Sequence, residues 1–283
     1  MRVALSTNNL SRRVKCYGPI LLLAAALVIL GDRVVGTNPP NGGELFGDAL
    51  VYTIMANGDY SEVSEPFRYR VLVPSIAWLL PFSAVLSLKL VSYAGLFLFY
   101  FISFVTCRKL GVSFFASFLG LATVYSSVWY LYNYQNPYLT DTMALAFLSL
   151  IFLTATSRNY PGFLLSSALG IVTREASIFL APIWLVTRQW RKALLGILVV
   201  LLVYYLHRLI FASASDDSGS FLNRFQEVDR LSHLSAFARP VIVHWGFSGG
   251  LAILGIVLVS QEWGRALALG FGTLIVGAVI SSF

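Results

Sequence analysis

Three acids and three arginines stand out because each opens, interrupts or borders an apolar stretch. Asp48 follows Gly47 and opens a run through Tyr52 that stops at Asn57-Gly58. A carboxylate there has two readings. It caps a helix N-terminus, or it accepts a proton as general base from an attacking hydroxyl. The two are compatible, since a cap also holds a side chain in place. Arg68 and Arg70 alternate with aromatics in Pro66-Phe67-Arg68-Tyr69-Arg70. Guanidinium forks bind phosphate bidentately. The plain alternative is an anchor at headgroup level within an aromatic belt. Asp141 stands between Thr140 and Thr142 at the start of another apolar run. Its first reading is again an N-cap. Arg174-Glu175 interrupts the apolar stretch 161–187. Such a pair is either a structural ion pair or part of a polar cavity, because charges at bilayer depth are costly elsewhere.

Other polar residues carry less. Asp216-Asp217 and Glu227-Val228-Asp229 lie in polar chain and read as solvated loop. Gly246-Phe247-Ser248-Gly249-Gly250 matches a Gly-x-Ser-x-Gly nucleophile pattern. No strand precedes it and no histidine follows it, so close helix packing through glycine is the better reading. His207, His233 and His244 are scattered, and with Cys16 and Cys107 they give no zinc spacing.

The elements that must position these residues are apolar. The chain has 283 residues, 57% of them hydrophobic and only 12% charged, with a net charge of +7. Soluble domains carry about 25% charged residues. Soluble, disordered, coiled-coil and nucleic-acid-binding classes are therefore excluded. Apolar runs lie at 17–30, 84–106, 112–131, 139–156, 193–211, 241–260 and 266–283. A shorter one at 71–81 ends at Pro81 and reads as a half-buried or interfacial helix. Together they predict an all-α, polytopic transmembrane bundle of about nine membrane segments, some of them short or broken. It forms one domain over 1–283, with long polar loops at 31–70 and 212–240.

Basic residues orient the bundle. With the N-terminus cytoplasmic, Arg108-Lys109 and Arg158 fall inside. If 161–187 enters and returns as a hairpin, Arg188, Arg191, Lys192 and Arg265 join them. If it spans once, those four exchange sides with Arg208, Arg224, Arg230 and Arg239. The hairpin is preferred because Arg174-Glu175 then falls at a break that can face a cavity. Both long loops and nearly all the carboxylates are then extracytoplasmic.

The order of these motifs resembles the GT-C superfamily of membrane glycosyltransferases. A first span leads to a long outer loop with an early acid, Asp48, and Tyr52 four residues on. Pro66-Phe67-Arg68-Tyr69-Arg70-Val71-Leu72-Val73-Pro74 follows, then Asn136-Pro137-Tyr138-Leu139-Thr140-Asp141, then Gly170-Ile171-Val172-Thr173-Arg174-Glu175-Ala176-Ser177. The resemblance covers roughly 17–190 and rests on order and topology. It implies a multi-pass protein of a bacterial inner membrane that transfers sugar from a polyprenyl-phosphate donor to an extracytoplasmic glycan, lipid or protein acceptor. Asp48 would be the general base. Arg68, Arg70 and Arg174 would bind the donor phosphate, with Glu175, Asp141 and Tyr52 in support. Many members carry paired acids in the first loop. Here Asp48 is flanked by Gly47 and Ala49, which puts a divalent metal in doubt and leaves no cofactor assigned. The chain is also short for the family. The competing reading is a lipid or polymer transporter or scaffold whose outward cavity holds anionic headgroups.

Overall fold

The computed structural model describes residues 7–35, 47–61, 63, 67–125 and 133–211. The loop 212–240, the runs 241–260 and 266–283, Ser248, His233 and His244 lie outside these. Every regular element among the described residues is helical. In order they are α1 (Thr7–Val35), α2 (Asp48–Ala56), a 3-10 turn (Phe67–Tyr69), α3 (Leu72–Trp78), α4 (Ala84–Lys109), α5 (Phe114–Tyr125), α6 (Asp141–Thr156), α7 (Tyr160–Thr173), a 3-10 helix (Glu175–Thr187) and α8 (Trp190–Phe211). The segment 31–70, expected as loop, is partly helical: α1 continues to Val35, and α2 and the 3-10 turn lie within it.

Local chemistry sets several boundaries. Ser83 caps α4 by accepting a hydrogen bond from the Leu86 N–H. Arg108 and Lys109 in its last turn complement the helix dipole. Asn159 caps α7 by accepting from the Gly162 N–H at 3.2 Å, and Pro161 occupies the first turn, where its missing N–H costs nothing. The chain breaks at Arg174, whose backbone is extended at φ −159° and ψ 128°. The 3-10 helix beyond it runs for 13 residues and ends at Arg188 with φ 59°. Runs of this winding rarely exceed three or four residues.

Among the described residues, three helical stretches are long and apolar enough to cross a membrane: Tyr17–Val34, Ala84–Lys109 and Trp190–Phe211. α4 and α6 pack side by side and run in the same direction. Hydroxyl pairs mark the register, Ser92 with Thr142 at 2.9 Å and Ser103 with Ser149 at 3.0 Å, and Lys109 reaches Ser157 at the far end. Gly95 permits the approach. A Cβ there would stand 2.7 Å from the Met143 backbone nitrogen.

α7 and the 3-10 helix form an antiparallel pair. A Cβ on Gly170, near the break, would lie 3.0 Å from Ser177. At the other end the Tyr160 and Trp184 rings are 5.0 Å apart, and the Tyr160 hydroxyl donates to the Lys192 carbonyl at 2.9 Å. The segment 161–187 thus goes out and comes back, the hairpin arrangement.

The bundle therefore has two chemically different ends. At one, the starts of α2, α4 and α6 meet the α7 break and the end of α8. The other carries Arg108, Lys109, Arg158, Arg188, Arg191 and Lys192, and among the described residues no Asp or Glu.

Candidate functional site

The first end gathers side chains from four separate stretches of chain. Tyr52 is central. α2 presents it one turn beyond Asp48, and it is only 1% exposed. Burial without a partner would leave its hydroxyl unsatisfied. That oxygen accepts hydrogen bonds from Arg70 Nη1 at 3.0 Å and from Thr140 Oγ1 at 3.4 Å. Arg70 also donates from Nε to Glu175 Oε2 at 3.2 Å, and its guanidinium lies 5.4 Å from the centre of the Phe67 ring. The planar fork thus has a phenol on one arm and a carboxylate on the other.

Next to this pair, Arg174 is ion-paired with Asp141. The Arg174 side chain is 38% exposed, whereas those of Asp141, Glu175 and Arg70 are 17%, 19% and 14% exposed. Arg174 interacts electrostatically with Arg70, Tyr52, Glu175 and Asp48. Asp48, Tyr52, Arg70, Asp141, Arg174 and Glu175 therefore form one charge network. Arg68 is buried within the 3-10 turn, but Arg70, just after it, is the arginine that reaches Tyr52 and Glu175.

Two expectations change in detail. Neither Asp48 nor Asp141 is an N-cap. Gly47 holds that position in α2, with φ 58°, and Thr140 holds it in α6; neither helix has a side-chain cap bond. Both acids instead stand in the first helical turn, where the dipole favours negative charge. Asp48 is exposed there. Glu175, named in support of the donor site, holds Arg70 at the end of the first loop. The residue beside Arg174 is Asp141.

Thr140 and His207 had not been singled out. Thr140 ties α6 to Tyr52 and was visible only as a flank of Asp141. His207 Nε2 donates to the Tyr69 carbonyl at 2.6 Å, and Arg208 stacks over the Tyr69 ring at 4.4 Å. These contacts pin the Phe67–Tyr69 turn to the end of α8. Nothing local in the sequence joins residues 138 positions apart.

Among the described residues, no three His, Cys, Asp or Glu side chains gather as a metal-binding group. The arrangement can do two things. An arginine whose side chain is partly exposed, beside a carboxylate, can exchange that carboxylate for a phosphate. An exposed carboxylate near it can take a proton. Compared with family models, with curated proteins and with solved structures, the chain matches none.

Proposed function

We propose that the chain is a membrane glycosyltransferase of the GT-C kind. It moves a sugar from a polyprenyl-phosphate donor to an extracytoplasmic acceptor, with Asp48 as general base. The observation that carries this reading is the convergence of Asp48, Arg70, Asp141, Arg174 and Glu175 on one end of the bundle.

Three apolar helices support placement in a bilayer, as does the outward face of α8. Leu198 is 64% and Ile210 is 73% exposed there, which suits lipid rather than water. The described helices are the larger part of a multi-pass bundle of about nine membrane segments. Its basic end faces the cytoplasm, as excess Lys and Arg do. The charge network then lies at the extracytoplasmic end, near the donor's headgroup.

In this reading Asp48 removes the acceptor hydroxyl proton as that oxygen attacks the anomeric carbon. The bond from that carbon to the phosphate oxygen breaks, and the lipid phosphate leaves with the electron pair. Arg174 neutralises the growing charge, because it is the more exposed arginine of the network. Arg70 is a positioning residue, held at both arms and packed on Phe67. No step requires a metal.

The test is a transfer assay in proteoliposomes with radiolabelled polyprenyl-phosphate sugars. Wild-type protein should label an acceptor, and Asp48→Asn should not. Donor binding without transfer by either protein would support the transporter or scaffold reading.

A further inference from the structure

At the basic end, far from the charge network, α1, α4 and α6 border a half-open cavity of about 500 Å³. Its rim is cationic, with Arg108 and Lys109 from the last turn of α4. Its walls are apolar, with Ile20 from α1 and Leu153 from α6, and Tyr17 stands at the opening, 43% exposed. Arg108 Nη1 donates to the Val112 carbonyl at 2.6 Å, and Lys109 reaches the Ser157 hydroxyl. Each of those bonds uses one donor. A guanidinium has five N–H groups and an ammonium three, so both retain donors for a ligand.

The surroundings define the ligand's charge. Arg158 follows Ser157, and Arg188, Arg191 and Lys192 stand at the same end. Among the described residues no acid lies at this end. The occupant is therefore anionic. The apolar walls and the interfacial tyrosine define its other half. A free anion has no use for Ile20 and Leu153, whereas a phospholipid brings acyl carbons directly below its phosphate. Basic pockets between membrane helices on the cytoplasmic side suit such headgroups.

We infer that this cavity is a binding site for the headgroup of an anionic phospholipid. The inference rests on the bilayer placement proposed above and not on the transferase chemistry. Each cation near the membrane surface is worth about five-fold in affinity for anionic lipid. Arg108 and Lys109 together should give a preference of about 30-fold.

Native mass spectrometry of the full chain in detergent tests this, with phosphatidylglycerol and phosphatidylcholine as competing lipids. Wild-type protein should retain phosphatidylglycerol. Arg108→Gln with Lys109→Gln should bring the two lipids near parity, while Arg191→Gln with Lys192→Gln, at the same end but outside the cavity, should keep the preference. Val105, on α4, also lines the cavity; Val105→Trp, which fills it and leaves both charges, should also abolish retention. If the double variant unfolds, Arg108→Gln alone must show the five-fold loss. An undiminished preference in the Arg108 and Lys109 variants overturns the site. Displacement of the lipid by inorganic phosphate alone overturns the lipid as its occupant. Failure of transfer in the assay above would leave these outcomes untouched.

Discussion

Removing Arg174 and Asp141 singly and together separates a structural ion pair from a phosphate contact. A fully buried pair loses about 3–5 kcal/mol when one partner goes, and an exposed pair about 0–1 kcal/mol. Here Arg174 is 38% exposed and Asp141 17%, so Arg174→Ala should lower stability by roughly 1–3 kcal/mol. Asp141→Ala should do comparable harm. It leaves Arg174 desolvated beside Arg70, whose repulsion exceeds the attraction of either Glu175 or Asp48, just as Arg174→Ala leaves Asp141 half-buried without its arginine. The double variant should recover much of the loss, because neither charge is stranded. Donor affinity behaves differently if Arg174 meets the phosphate. A hydrogen bond to a charged group is worth about 1.5–3 kcal/mol, which is about 10- to 100-fold in affinity. The double variant should therefore melt near the wild-type temperature and still bind labelled polyprenyl-phosphate sugar at least about ten-fold more weakly. Thermal melting and donor binding on the same purified samples read both quantities. Restored stability together with wild-type donor affinity would refute the phosphate role and leave a structural pair.

Asp48→Asn should reduce transfer by roughly 10²–10⁴-fold. It should change the melting temperature little, since Asp48 is exposed and makes no cap bond; near-normal turnover would reduce Asp48 to a favourable charge at a helix start. Arg70→Lys should weaken donor binding more than acceptor binding, because an ammonium cannot hold Tyr52 and Glu175 in one plane; equal weakening of both substrates would indicate misfolding. Gly95→Ala should cost about 1–3 kcal/mol as α4 and α6 are forced apart, and an unchanged melting curve would contradict the close contact. In a cysteine-free background, Ser61→Cys should react with an impermeant thiol reagent added outside and Arg191→Cys should not. The reverse pattern would invert the proposed orientation.

Apolar length is legible along the chain because hydropathy is a local property, so α4, α6 and α8 lie close to where the runs place them, while α1 extends beyond its run at both ends. The break at Arg174 was legible for the same reason: two charges in an apolar stretch cannot both continue into lipid. The partners were not. Arg70 and Glu175 are 105 residues apart, and any acid near an arginine would satisfy the same local rule. Asp141 was read as a cap because Thr140 and Asp141 are both capping types, and only the fold decides that Thr140 takes the position. Gly47 was passed over as a flank, although its φ of 58° is the one backbone angle there that favours glycine. Nothing in 175–187 distinguishes 3-10 from α winding, since apolar residues at both spacings are plentiful.

That winding turns 175–187 into a strut whose length depends on its pitch. Thirteen residues at about 2.0 Å each extend about 26 Å, while the same residues wound as α-helix would extend about 20 Å. The tighter coil supplies the extra reach between Arg188 at the basic end and Glu175 beside Arg70. Rewinding would draw Glu175 back by about 6 Å, more than one α-helical turn, and the carboxylate would lose the guanidinium it holds at 3.2 Å. The pitch of this segment therefore sets how far Glu175 reaches toward Arg70.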